Sequence, residues 1–274
     1  MKLGIVIRTM GEASQTETVL QCAQAAEAAE LDDLWVVDHI AIPPDDAEGS
    51  GGRYLDPLAT LAFLAAATDQ IGLGTSVLVL PYRPALPTAK WVATIQELSG
   101  GRIRLGVGAG WMKTEFRALG IDPRRRGALT DATLETLIRC FDADNDVTEE
   151  NGQAFLFRPA PPRPPIFIGG SGRHCLERVV RYGEGWMPMG ADPERLSAPI
   201  AELHELAAKA GRSTPEVVAL GGVPVDDPAR AAQTLHALAE IGVTRFVQGI
   251  RYADADAFRT GLDGFLRVRE AWQN

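Results

Sequence analysis

The sequence predicts a (β/α)8 barrel of the TIM type. Eight strand-like apolar runs alternate with eight helix-like runs from Met1 to Asn274, and strict β-then-α order calls for a parallel sheet. The length of 274 residues is close to the ~250 typical of one such barrel. The strand runs are also continuously apolar rather than alternating, as strands covered on both faces must be.

The strand candidates are residues 3–7, 34–37, 71–80, 103–107, 165–168, 185–187, 217–220 and 244–248. The helix candidates carry a helical period. A helix over residues 84–98 stops at Ser99-Gly100-Gly101, a glycine terminus. Leu134, Leu137, Ile138 and Phe141 recur at i, i+3, i+4 and i+7, marking one buried stripe. Leu196, Ile200, Leu203 and Leu206 mark another, as do Phe258, Leu262, Phe265 and Leu266. Two segments interrupt the rhythm. Residues 42–53 form a polar, Gly- and Pro-rich loop after the second strand. Residues 142–165 hold the hairpin signal Asn151-Gly152 and then a proline-rich return. This predicts a hairpin insertion between helix 4 and strand 5. No change of composition marks a linker, so residues 1–274 read as one domain.

Composition sets bounds. Apolar residues make up 46 % and charged residues 23 %, which is ordinary for a globular protein. A net charge of −9 disfavours nucleic acid or an anionic membrane as the principal partner, and the triplet Arg124-Arg125-Arg126 is too short to reverse this. Three widely spaced cysteines, Cys22, Cys140 and Cys175, predict no disulfide framework and hence a reducing, cytoplasmic setting. The first apolar run is too short for a secretory signal, and no run approaches the ~20 apolar residues of a membrane helix.

A barrel of this kind places its chemistry at the C-terminal ends of its strands. After strand two stands Asp38-His39, which suits either a proton-handling pair or a capping carboxylate beside a packed imidazole. Strand three carries Gly74-Thr75-Ser76-Val77, where a glycine marks a bulge or a close backbone approach. Strand four ends in Gly108-Ala109-Gly110-Trp111, whose glycines leave main-chain N–H groups accessible. Its spacing is not that of a dinucleotide fingerprint. After strand five, Gly169-Gly170-Ser171-Gly172 opens a helix, an arrangement that fits a phosphate or a tight turn. Trp111 and Trp186 are candidate walls of a substrate pocket.

Other chemistries lack their signatures. His39, His174, His204 and His236 show no metal-ligand spacing, so no metal site is expected, and no Gly-x-Ser-x-Gly elbow is present. Glu115, Arg126 and Asp131 are expected to form a structural ion-pair network around the fourth helix. Asp142, Asp144, Asp146, Glu149 and Glu150 read as a solvated acidic loop.

Seven stretches, in this order, resemble the bacterial luciferase-like flavin barrel superfamily. They are residues 34–40 (LWVVDHI), 54–58 (YLDPL), 71–84 (IGLGTSVLVLPYRP), 98–116 (LSGGRIRLGVGAGWMKTEF), 126–131 (RGALTD), 165–172 (PIFIGGSG) and 182–188 (YGEGWMP). The chain is most similar to the short members that use the deazaflavin coenzyme F-420. The resemblance implies that Asp38 binds the deazaflavin ring and that His39 handles the accompanying proton. It implies a bulge at Ser76-Val77, with a non-prolyl cis peptide behind the ring. It places Gly108, Ala109 and Gly110 along the ribityl-phosphate tail, and Gly169, Gly170 and Ser171 at the phosphate. Trp111 departs from a sugar-phosphate-oxidising relative that carries a carboxylate there, and the short last third implies a shallow, open substrate site.

The activity so implied is an F-420-dependent oxidoreductase that moves a hydride between the deazaflavin ring and a small organic substrate. Relatives are often homodimers, and a separate reductase would recycle the coenzyme. Two alternatives stay open: an FMN-dependent monooxygenase fed by a separate flavin reductase, and a non-catalytic flavin-binding barrel whose indoles plug the cavity.

Overall fold

The computed structural model describes residues 1–274 apart from the side chain of Asp144, which leaves that member of the acidic run outside the described residues. The strands are β1 Lys2–Val6, β2 Asp33–Val36, β3 Gly72–Thr75, β4 Leu78–Val79, β5 Ile103–Gly108, β6 Val147–Glu150, β7 Gln153–Leu156, β8 Ile166–Gly169, β9 Gly185–Met187, β10 Glu216–Gly221 and β11 Arg245–Gln248. The helices are α1 Thr16–Ala28, α2 Pro57–Ala67, α3 Ala85–Leu98, α4 Lys113–Ala118, α5 Arg126–Phe141, α6 Arg173–Tyr182, α7 Pro193–Lys209, α8 Pro228–Glu240 and α9 Ala255–Gln273.

Setting aside β6 and β7, every strand pairing is parallel. The sheet runs β3-β2-β1-β11-β10-β9-β8-β5-β4, and β3 pairs with β5 to close it into the barrel. One expected strand is divided. Residues 71–80 form β3 and β4, separated at Ser76-Val77, whose peptide bond is cis. β3 keeps the register with β2, while β4 pairs with β5 through Leu78↔Val107 and Val79↔Gly108. The expected hairpin is the antiparallel pair β6–β7 between α5 and β8. Its tip residues Asn151 and Gly152 have φ of 52° and 80°, the left-handed pair that a two-residue turn needs. The short helix α4 comes in addition to the expected eight.

Helix ends follow local chemistry. Asp56, Asp192, Asp227 and Asp254 each accept main-chain N–H bonds at the start of α2, α7, α8 and α9, satisfying donors that a helix leaves unpaired. From α1, Glu27 accepts the N–H groups of Asp69, Gln70 and Ile71, which docks the entry to β3.

Apolar side chains fill two layers. Leu134, Leu137, Ile200, Leu203, Phe258 and Phe265 belong to the shell between helices and barrel. Inside the barrel Trp35 packs with Phe167, Met187, Val218, Leu220 and Val247. Glycine makes room for this indole, since a Cβ on Gly74 would stand 2.2 Å from Trp35 Cε3. Asp33 on β2 and Arg245 on β11 form a salt bridge, both side chains fully buried. The acidic loop is partly paired rather than free: Asp142 meets Arg163, Asp146 meets Arg158 and Glu150 meets Arg139. Cys22, Cys140 and Cys175 are buried thiols. No helix is long and apolar enough to cross a membrane.

Candidate active site

A cavity of about 1120 Å³ opens where β2, β3, β5, β8, β9 and β10 end. Asp38, His39, Ser76, Val77, Gly108, Ala109, Gly110, Trp111, Gly169, Gly170 and Ser171 all line it. The topology therefore brings together segments spread over 130 residues of chain.

Val77 shapes the floor. A Cβ on Gly108 would lie 2.6 Å from Val77 Cγ2, and one on Gly169 would lie 2.6 Å from Val77 Cγ1. Both glycines thus make room for this one side chain, a reason beyond the accessible main chain the sequence suggests. Gly110 has its own reason: φ is +76°, and a Cβ would stand 2.7 Å from Val79 Cγ1.

Asp38 is buried, and its carboxylate is taken up by protein. Arg83 forks onto it at 2.6 and 2.9 Å, and the Val79 N–H donates to it at 2.8 Å. The same guanidinium reaches Asp56 at 2.7 Å. Burial alone would lower the pKa of Arg83, but the two carboxylates raise it. Asp38 therefore ties the end of β2 to β4, and Arg83 carries that tie on to the start of α2.

His39 is half-buried, and its Nδ1 lies 2.9 Å from Oε2 of Glu115. Glu115, on α4, is fully buried. Its Oε1 accepts the N–H groups of Ile40 and Ala41 at 2.6 and 3.0 Å, and its Oε2 accepts the Tyr82 hydroxyl at 2.9 Å. Burial would raise this carboxyl's pKa, but the hydrogen bonds from His39, Ala41, Ile40 and Tyr82 outweigh it and hold the value at about 2. The Tyr82 hydroxyl moves the other way, pushed up by burial and by the carboxylate it meets. The imidazole also packs against Tyr54, with ring centroids 4.9 Å apart, and stands edge-on to Trp111 at 6.2 Å.

This corrects the expected network of Glu115, Arg126 and Asp131. Glu115 turns into the site, Asp131 pairs with Arg178 at 2.6 Å, and Arg126 reaches the Pro123 carbonyl. Trp186 also departs from expectation. It does not line the cavity but lies buried in the outer shell, where its Nε1 donates to the Gly170 carbonyl at 2.9 Å. Residues alternate along β9, so Met187 faces the cavity and Trp186 faces away. Trp111 is at the mouth and 74 % exposed, so neither indole plugs the opening.

The Gly-rich turn enters α6 with φ of +128° at Gly170 and +79° at Gly172. Around it the cavity is lined by Arg124, Arg126, His174, Arg178 and Arg181, together with Asp131 and Glu177. Of these, Arg178 pairs with Asp131 and Arg181 with Glu135. The sequence reading missed this rim, although Arg178 and Arg181 sit on the helix that the glycine turn opens. Among the described residues no group of three or more His, Cys, Asp or Glu is placed to hold a metal ion.

The sequence profile of the luciferase-like monooxygenase family matches residues 1–271. The chain belongs to that family. An uncharacterized protein of Mycobacterium tuberculosis is 31 % identical over 250 residues, covering 84 % of this chain and 83 % of its own. Among solved structures, an F-420-dependent secondary alcohol dehydrogenase, in complex with an F-420-acetone adduct, superposes with a TM-score of 0.81. It is 18 % identical and covers 100 % of this chain and 99 % of its own. The oxygenating constituent of 3,6-diketocamphane monooxygenase from Pseudomonas putida, in complex with FMN, gives 0.80 at 13 % identity, covering 100 % of this chain and 98 % of its own. At these identities the two structures speak for the fold, and relatives of both cofactor types share it.

Proposed function

We propose that this luciferase-like protein is an F-420-dependent oxidoreductase acting on a small alcohol or carbonyl compound. The observation that carries the reading is one cavity that joins the end of β2 to the glycine turn before α6. One part holds His39, with Ser76 and Val77 on the floor, and the other holds the glycine turn with its cationic rim.

The residues fit the group. The volume exceeds the 300–1,000 Å³ of an ordinary small-molecule site. Bare main chain at 108–110 and 169–171 admits a tail, and Gly169, Gly170 and Ser171 would hold its phosphate. FMN ends in one phosphate, whereas the deazaflavin coenzyme continues beyond its phosphate into a run of carboxylates. The cationic groups at 124, 126, 178 and 181 suit that longer anionic tail. When bound, the deazaflavin supplies a hydride donor or acceptor at C5 and does not form the oxygen adduct that monooxygenases need.

The protein supplies position and a proton path. Ser76 and Val77 would back the ring. Asp38 would act through the structure, keeping Val79 and Arg83 in place beside the site. His39 would give the proton to a carbonyl oxygen or take it from a hydroxyl. Trp111 and Met189, both exposed at the cavity, offer an uncharged apolar mouth to the substrate. A homodimer and a separate reductase that recycles the coenzyme complete the proposal.

The FMN-dependent monooxygenase is the second reading, favoured by the FMN-bound neighbour of the same fold. Titration of the apo-protein with F-420 and with FMN, followed by calorimetry and visible spectra, separates the two. Tighter binding of F-420 is expected. Binding of FMN alone overturns the proposal, and binding of neither leaves a barrel without a flavin role.

A further inference from the structure

We propose that Glu115 is a positioning residue for His39: it accepts the Nδ1 hydrogen, locks the imidazole in the Nδ1–H form, and so assigns all proton exchange to Nε2. The inference rests on the proposed function for its catalytic meaning, but the tautomer is a property of the protein alone.

Glu115 receives three bonds whose direction is settled by chemistry or geometry: the N–H groups of Ile40 and Ala41, and the Tyr82 hydroxyl. Two peptide N–H groups can only donate, so Oε1 can only accept. The fourth neighbour is His39 Nδ1, 2.9 Å from Oε2. An ionised carboxylate has no hydrogen to offer, so Nδ1 must carry one. Among the described residues no protein atom bonds Nε2, so the second ring nitrogen is the one left for chemistry. In neutral His39 it holds a lone pair, and in the imidazolium it holds the exchangeable proton. Glu115 is unprotonated in both.

The charged and titratable groups around the ring agree. Asp38 is engaged by Arg83, Tyr82 donates to the same carboxylate, and Tyr54 meets the imidazole through its ring. Glu115 is therefore the group in position to orient the imidazole, as a base-orienting carboxylate does. The proton balance closes within this set. A hydroxyl that becomes a carbonyl gives its proton to Nε2, and a carbonyl that becomes a hydroxyl takes one from Nε2. The accompanying hydride belongs to the coenzyme of the proposed function.

Glu115→Gln is the sharp variant. Its amide oxygen can still receive Ile40 and Ala41, which turns its NH2 toward His39. Nδ1 must then accept, and the proton moves to Nε2. The test is 15N NMR of histidine-labelled apo-protein above the imidazole titration. We expect the Nδ1–H form in the native protein and the Nε2–H form in Glu115→Gln. Tyr82→Phe, which leaves the Glu115–His39 contact in place, should keep the native form. In the loaded enzyme, Glu115→Gln should lower kcat at least tenfold and shift the pH profile, with cofactor Kd changed less than threefold. A native Nε2–H form overturns the proposal without any variant, and so does an unchanged tautomer in a folded Glu115→Gln protein. A native Nδ1–H form in a protein that binds no F-420 removes the proposed function and leaves the assignment of the ring intact.

Discussion

Val77 occupies the space that Gly108 leaves by having no side chain, with only 2.6 Å between its Cγ2 and the point where a Cβ on Gly108 would stand. The divided third strand and the end of β5 are thus one packing unit. Gly169 closes it from β8 in the same way.

Gly108→Ala should therefore overpack the floor of the cavity and destabilise the fold by roughly 1–3 kcal/mol. Val77→Ala on the same background removes the colliding methyl groups and should recover most of the loss. A double-mutant cycle in urea gives the coupling directly. Additive effects would show that Gly108 is present for some reason other than Val77.

The tie between Asp38 and Arg83 gives a second prediction. Both side chains are buried, at 0 % and 6 % exposure; removing Asp38 leaves the Val79 N–H without its acceptor and Arg83 with only Asp56, a loss of up to about 3–5 kcal/mol. Asp38→Ala should lower Tm strongly with no cofactor present. Asp38→Ala with Arg83→Met should be more stable than Asp38→Ala alone, because the buried guanidinium that would be left to the half-exposed Asp56 is gone. If Asp38→Ala leaves Tm unchanged and only weakens cofactor binding, the residue serves the ring rather than the scaffold.

These two cases mark what was legible in the sequence. The barrel was, because continuous apolar runs and helical stripes such as Leu134–Leu137 report burial locally. The hairpin was, because Asn151-Gly152 demands left-handed φ. The main-chain segments at the strand ends, 38–39, 76–77, 108–111 and 169–171, were, since strand ends follow from strands. Partners were not. The Asp33–Arg245 pair joins residues more than two hundred positions apart, and no local pattern encodes it. Glu115 was expected to pair with Arg126 and Asp131, because α4 has six residues, too few to show which side chain turns inward. Trp186 was placed on the wrong face because β9 has three residues, too few for alternation to be read.

The cationic rim gives a third prediction. Arg126 reaches only the Pro123 carbonyl among the described residues, and Arg124 is exposed beside Asp122. Neither belongs to a buried network, so Arg126→Ala and Arg124→Ala should leave stability nearly unchanged. Each should weaken F-420 about three- to tenfold, with FMN affinity within twofold of native, and raised salt should erase part of the difference. Calorimetry at two ionic strengths measures this. Equal losses for both ligands would place these groups at the shared phosphate instead.

Glu115 also controls acid stability. Its carboxyl has an ordinary value of 4.5 and is held at about 2 in the fold. A group whose pKa falls on folding binds its proton more readily when unfolded, so the stabilisation is complete above about 4.5. It fades as pH falls toward 2, where the folded form also takes the proton. The shift corresponds to an upper bound of about 3 kcal/mol at neutral pH. Glu115→Gln should then be less stable than the native protein at pH 7, and the gap should narrow steadily from pH 5 to pH 2. Urea midpoints across that range measure the gap. A difference that stays constant from pH 5 to pH 2 would mean that the ionisation of Glu115 does not set the acid sensitivity of the fold.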